Sequence, residues 1–258
     1  MPLPQQAGKS GQTASAEAPN WNLNPLHSPD RDVARRTFLR MVSHELRTPL
    51  NSIIGFAEIL RQELYGPLGS PNYVEYAGII QDSGKKLLAL FNNFIEIVRL
   101  ESGGDLVPAP NPVLAALEDS VSRVRPFAVA RGVSIRIRLL DEDLEASFDP
   151  RGLASCLDQL LHNAIDFTRE GEDIELDVTV GETTDISIFN RGPAPDAAEI
   201  ERLMLPFEQG NAEISRPRQG AGLGWAIVRL NCEAMGGHFR VETRKDEWLN
   251  AILSLKAC

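Results

Sequence analysis

Two long apolar stripes at helical spacing, separated by a single turn, constrain this chain more than any other feature. From Asp30 to about Leu64, residues such as Val42, Leu46, Leu50, Ile53, Ala57, Leu60 and Leu64 recur at steps of three and four, the period of an amphipathic helix. Residues 65–72, YGPLGSPN, are dense in Gly and Pro and read as a turn. A second helix is expected over roughly Tyr73–Glu101, with Val74, Ala77, Ile80, Leu87, Phe91, Phe94 and Val98 on its apolar side and the small Gly84 in the same stripe. A two-helix hairpin is too small to cover both stripes by itself, so pairing with a second copy into a four-helix homodimer is expected.

His44-Glu45-Leu46-Arg47-Thr48-Pro49 interrupts the first stripe. His44 follows Val42 by two positions, about 200° round the helix, and so points away from the apolar side. Pro49 lacks an N–H and would loosen the turn before it. An exposed imidazole beside a carboxylate, with the Thr48 hydroxyl one turn on, is either a polar turn at a kink or the equipment of a phosphoryl acceptor.

Beyond the hairpin the pattern changes. SGGDLVPAPNP, residues 102–112, has linker composition. A helix is expected near 112–131, alternating VSIRIRLL at 133–140 as a strand, a short strand ending at Phe148, and a helix over Pro150–Thr168 with Asp149 as its N-cap. IELDVTV and DISIF make a strand pair around GETT. A short helix near 196–204, an irregular stretch at 208–221, a helix at 222–235 and a final hairpin of HFRVETR and WLNAILSLK complete the chain. Strands in runs beside helices in runs imply an α+β fold: a helical-hairpin domain, then an α/β sandwich with one mixed sheet covered on one face. The expected division is an N-terminal arm at 1–30, the hairpin domain at 31–102, a linker at 103–112 and the sandwich at 113–258.

Composition narrows the partners. The net charge is −10 with no basic run, and aromatic residues are 6% of the 258, which argues against nucleic acid. Cys156, Cys232 and Cys258 lack metal-ligand or disulfide spacing, so two buried thiols and one near the terminus are expected. No apolar run approaches a membrane span and no leader is visible, so the expected location is the cytoplasm.

Within the sandwich three further stretches carry chemistry. In LDQLLHNAIDFT, residues 157–168, Asn163 offers a neutral amide oxygen of the kind that suits Mg²⁺. In SIFNRGPAP, residues 187–195, a strand runs into a turn at Gly192, where the missing β-carbon permits a close approach. In QGAGLGWAIV, residues 219–228, Gly220, Gly222 and Gly224 open a helix whose N–H groups can reach phosphate oxygens.

Taken together, and with LPFEQG at 205–210 between the last two, these motifs resemble in content and order the H-box, N-box, first glycine box, F-box and second glycine box of the sensor histidine kinases of two-component systems. The resemblance covers about 33–256. The H-box continuation GFAEILRQELYGPLG and the SGKKLL of the second helix further look like the DivJ/PleC-type cell-cycle kinases. The resemblance implies a dimerisation and phosphoacceptor hairpin followed by a Bergerat-type ATP-binding sandwich. It also implies that His44 is phosphorylated, that Glu45 acts as base or ring orienter, and that Thr48 positions water for dephosphorylating a response regulator receiver domain. Asn163 would bind Mg²⁺, Asn190 the base of ATP, and Gly192, Phe207, Gly220, Gly222, Leu223 and Gly224 would border the nucleotide or its lid.

Several positions depart from the family pattern. Asn190 stands where an aspartate normally accepts from the adenine amino group, an exchange costing about 1–2 kcal/mol of affinity. Ala194 and Pro195 replace the second glycine of the first box, Gln159 stands at an N-box asparagine, and Asp166 stands at a usually basic position. Arg216 or Arg218 would offset that charge. These changes leave a second reading open: a pseudokinase with a weak or empty nucleotide site, acting as a phosphatase, phosphotransfer dimer or scaffold for response regulators.

Overall fold

The structure is a computed structural model that describes residues 47, 48, 50–103, 105–139, 141–210 and 221–258. The N-terminal arm, His44, Glu45, Pro49, Gly220, Arg216 and Arg218 lie outside the described residues.

Residues 50–61 form α1, and α2 spans Pro71–Glu101, with Pro71 in its first turn, where its missing N–H costs nothing. The turn between them uses positive φ at Gly66 and Gly69. Small residues meet where the helices meet: Ala57, Ala77 and Gly84 are buried, and a β-carbon on Gly84 would lie 2.8 Å from Ile54 Cγ1. Gln81 is buried with them. The large residues of both stripes, among them Phe56 at 67% exposure, Leu60, Leu64, Ile80, Leu87 and Phe94, remain open. The apolar side expected from the sequence is thus split: its small residues close the hairpin, while Phe56, Leu60, Leu64, Ile80, Leu87 and Phe94 stay exposed.

A seven-stranded mixed sheet follows. β1 (Ala109–Pro112) pairs antiparallel with β3 (Glu145–Phe148), and α3 (Val113–Ala130) and β2 (Ser134–Arg138) lie between them in sequence. α4 (Pro150–Phe167) leads to β4 (Asp173–Val180), β5 (Thr183–Arg191), a 3₁₀ turn at Ala197–Glu199 and the short α5 (Ile200–Leu203). α6 (Gly224–Ala234), β6 (His238–Arg244) and β7 (Trp248–Ala257) complete it. The sheet order is β1-β3-β7-β5-β4-β2, with β6 also on β7; only β2 and β4 run parallel. Residues 109–112, expected as linker, are therefore the edge strand of the sheet. Pro110 and Pro112 are tolerated there because an edge strand has one side that owes no ladder bonds.

The core lies between the sheet and α3, α4 and α6, with Leu117, Phe148, Leu157, Leu161, Ile174, Leu176, Ile186, Ile188 and Leu253 fully buried. β5 alternates strictly, with Thr184, Ile186, Ile188 and Asn190 buried in turn, so Asn190 is the fourth inward position of that strand. Cys156 and Cys232 are buried in this core and Cys258 is exposed.

Candidate functional site

Asp149 organises the start of α4. Its carboxylate accepts from the N–H of Arg151 at 2.9 Å as an N-cap, from the N–H of Val107 at 2.9 Å, and from the Arg151 guanidinium. Burial pushes its pKa up, but the Arg151 side chain and the two backbone donors outweigh that and hold it at about 2. Arg151 also reaches the Asp105 carbonyl at 2.8 Å, and Arg99 of α2 pairs with Asp105. One carboxylate therefore fastens the segment between the two domains to the helix that carries Asn163.

Asn163 itself is half-buried on α4. The end of α4 meets the turn after β5. Gly192 touches the Phe167 carbonyl so closely that a β-carbon would lie 1.9 Å from its oxygen. Three backbone bonds fix the turn: Arg169 N–H to Arg191 O, Gly192 N–H to Glu247 O and Asp246 N–H to Ala194 O. Ala194 is buried in the place of the expected second glycine.

Asn190 precedes this turn at 3% exposure, and no hydrogen-bond partner for its carboxamide is found among the described residues. Its amide atoms are not sealed, because the buried unpartnered side-chain atoms there belong to Arg99, Thr184, Arg229, Asn231 and Asn250. The tip of a nearly buried side chain thus opens into the space beside the inner face of β5.

The glycine-rich stretch forms a second tight turn. Phe207, at φ 67° and 60% exposure, donates its N–H to Gly222 O at 2.8 Å. Gly222 has φ 69°, and a β-carbon on it would lie 2.4 Å from Glu208 O. Arg202 of α5 holds the Glu208 carboxylate and the Gln209 carbonyl. Gly224 is the first residue of α6 and lies against Gln159 Oε1. Leu223 is 1% exposed in an apolar cluster with Ile97, Ala226 and Ile227, so its side chain packs on α2.

That cluster belongs to a joint that the motifs do not announce. On α2, Asn92 accepts from Arg47 at 2.9 Å, Asn93 accepts from Gln159 at 3.4 Å, and Glu96 accepts from Ser155 Oγ at 2.7 Å and Asn231 Nδ2 at 3.0 Å. One stretch of α2 thus touches the H-box helix, α4 and α6. Its sequence signal was faint: the polar Asn92-Asn93 and Glu96 within LFNNFIEIV. Thr48 is exposed, and its carbonyl accepts from Ser52.

A helical hairpin and a mixed sheet covered by helices, with two glycine-dependent turns and an open amide on β5, define the class: a hairpin joined to an ATPase-type sandwich. Residues 34–103 match the His Kinase A (phospho-acceptor) domain, and residues 148–257 match the histidine kinase-, DNA gyrase B- and HSP90-like ATPase family. Together the two matches span well over half of the chain, which belongs to the histidine kinases.

Among its relatives are the histidine protein kinase DivJ of Caulobacter vibrioides, 34% identical over 81% of this chain and 35% of that protein, and the non-motile and phage-resistance protein of the same organism, 32% identical over 86% and 27%. The cell-division control histidine kinase PdhS of Brucella ovis is 30% identical over 80% and 21%. The chain thus spans about a third or less of the length of these relatives. Of solved structures, full-length ShkA in complex with AMPPNP has a TM-score of 0.70 at 25% identity, covering 86% of this chain and 46% of that one. Acinetobacter baumannii AdeS shares the fold, with a TM-score of 0.58 at 17% identity, covering 83% and 98%. No described helix is long and apolar enough to cross a membrane.

Proposed function

We propose that this chain acts as a two-component histidine kinase, which phosphorylates His44 from Mg-ATP and passes the phosphoryl group to an aspartate of a receiver domain. The observation that carries this reading is Asn190: a nearly buried amide with no hydrogen-bond partner among the described residues, two positions before the Gly192 turn that only glycine permits. Such an amide is available to hydrogen-bond a ligand, and the start of α6 at Gly224 offers backbone N–H groups to phosphates.

The described residues fit ATP as substrate. Asn190 and Gly192 would hold the base end, Gly222 and Gly224 the phosphate end with Gly220, and Phe207 the stem of the lid. Asn163 offers one neutral oxygen to Mg²⁺, so phosphate oxygens and water must complete the shell, the arrangement this ion prefers. The ion would neutralise phosphate charge. A ring nitrogen of His44 would take the phosphoryl group while Glu45 accepts or orients the ring proton, and Thr48 would position water when the phosphorylated receiver is hydrolysed.

The outward apolar stripe of the hairpin supports a homodimer. We place the chain in the cytoplasm, where ATP and receiver domains are found. Asp166, exposed in the last turn of α4, favours the second reading, a pseudokinase, since a carboxylate near phosphates repels them. Labelled γ-phosphate from ATP decides: acid-labile label on the native chain that disappears in His44→Gln establishes the kinase, and its absence from both moves the assignment to the pseudokinase.

A further inference from the structure

The chemistry of the Asn190 side chain carries a consequence for which nucleotides enter this site. An ionised aspartate offers only acceptor oxygens. It rewards a base with an amino group at position 6, as in adenine, and repels one with a carbonyl oxygen there, as in guanine or hypoxanthine. A carboxamide offers an acceptor oxygen at one corner and two N–H donors at the other. Rotated one way it accepts from a 6-amino group; rotated the other way it donates to a 6-oxo group.

What fixes an amide rotamer is its neighbours, and among the described residues none does. The Asn190 carboxamide has no hydrogen-bond partner among the described residues, although the residue is only 3% exposed, and its amide atoms are not sealed. Its backbone is fixed on β5 opposite Leu249 in the ladder with β7, and the turn after it is locked at Gly192 by the Phe167 carbonyl. The amide is therefore held in place while either of its ends is free to face the ligand.

We infer that Asn190 makes the nucleotide site indifferent to the 6-position of the purine, so that 6-oxo nucleoside triphosphates bind beside ATP. This rests on the proposed nucleotide site. A hydrogen-bonding site that matches only one base leaves buried polar groups unpaired with the other, which is where discrimination of tens to thousands of fold arises; an amide that pairs with both removes that penalty.

The test is calorimetric titration of the whole chain with Mg-ATP and Mg-ITP, which differ at position 6, and with Mg-GTP, which adds the 2-amino group. For the native chain, dissociation constants for ATP and ITP within about tenfold of one another are expected, and Asn190→Asp should widen the preference for ATP by about tenfold or more, mainly by losing ITP. Native selectivity for ATP over ITP of a hundredfold or more overturns the inference while leaving ATP binding intact, and so does a folded Asn190→Asp with an unchanged ratio. No binding of any nucleotide at millimolar concentration overturns both this inference and the kinase reading. The native ratio stands as a test even if the variant does not fold.

Discussion

The backbone N–H of Phe207 donates to the carbonyl of Gly222 at 2.8 Å, joining the F-box to the second glycine box. Both residues have positive φ, 67° and 69°, and Phe207 adopts it without being glycine, a strain of order 1 kcal/mol that the surrounding contacts must sustain. Gly222→Ala would set a β-carbon 2.4 Å from Glu208 O and force this stem apart. We expect affinity for Mg-ATP to fall at least about tenfold with the far-UV dichroism unchanged, since the stem lies outside the main core. An unaltered dissociation constant would show that the stem does not shape the phosphate end.

Asp149 makes stability depend on acid pH. Its pKa is about 2 in the folded chain against an ordinary 3.8, so the folded state favours the ionised form. The contribution, about 2 kcal/mol, is complete above the unfolded value and fades as pH falls from about 4 towards 2. Asp149→Asn should lower Tm at pH 7 by several degrees and flatten the loss of stability in that window. Thermal melts of both chains between pH 2.5 and 7 check this; parallel curves would assign the acid sensitivity elsewhere.

Glu96 is the polar centre of the joint between α2 and the two helices α4 and α6. Glu96→Ala would leave Ser155 Oγ and Asn231 Nδ2 without this acceptor, whereas Glu96→Gln keeps one acceptor oxygen and exchanges the charge and the second oxygen for an amide N–H₂. Hydrogen exchange in the described part of α6 should quicken markedly in the alanine variant and less in the glutamine variant. Equal protection in all three chains would mean that Ile97 packed on Leu223 and Ile227 suffices by itself.

Oligomeric state follows from the outward stripe. Phe56→Asp combined with Leu60→Asp would put two charges where a second hairpin has to pack. Sedimentation should show a dimer for the native chain and a monomer for the double variant with its helicity retained. A native monomer at tens of micromolar would remove the basis for the four-helix assembly.

Much of the sandwich was legible because its signals are local. Asp149 before Pro150, alternation through IELDVTV and DISIF, and the turn at GETT place α4, β4 and β5 within a residue or two of the sequence expectation. β1 was not legible. PAPNP has the composition of a linker, and it becomes a strand because β3 is present to pair with it and Asn111 donates to Phe148 O at 2.9 Å. Leu223 was singled out for its place in the glycine box, but α2 lies alongside and buries it.

The sequence by itself determined which motifs this protein carries and in what order, since helical and strand periods, an N-cap and glycine-rich turns act over a few residues. Only the tertiary structure decided what those motifs touch. Glu96 and Asn231 meet across 135 positions, the small residues of the hairpin turn inward while many of the large ones stay exposed, and Asn190 is left nearly buried with its amide unmatched among the described residues. Each depends on which surfaces remain after packing, a property of the whole chain that no local pattern encodes.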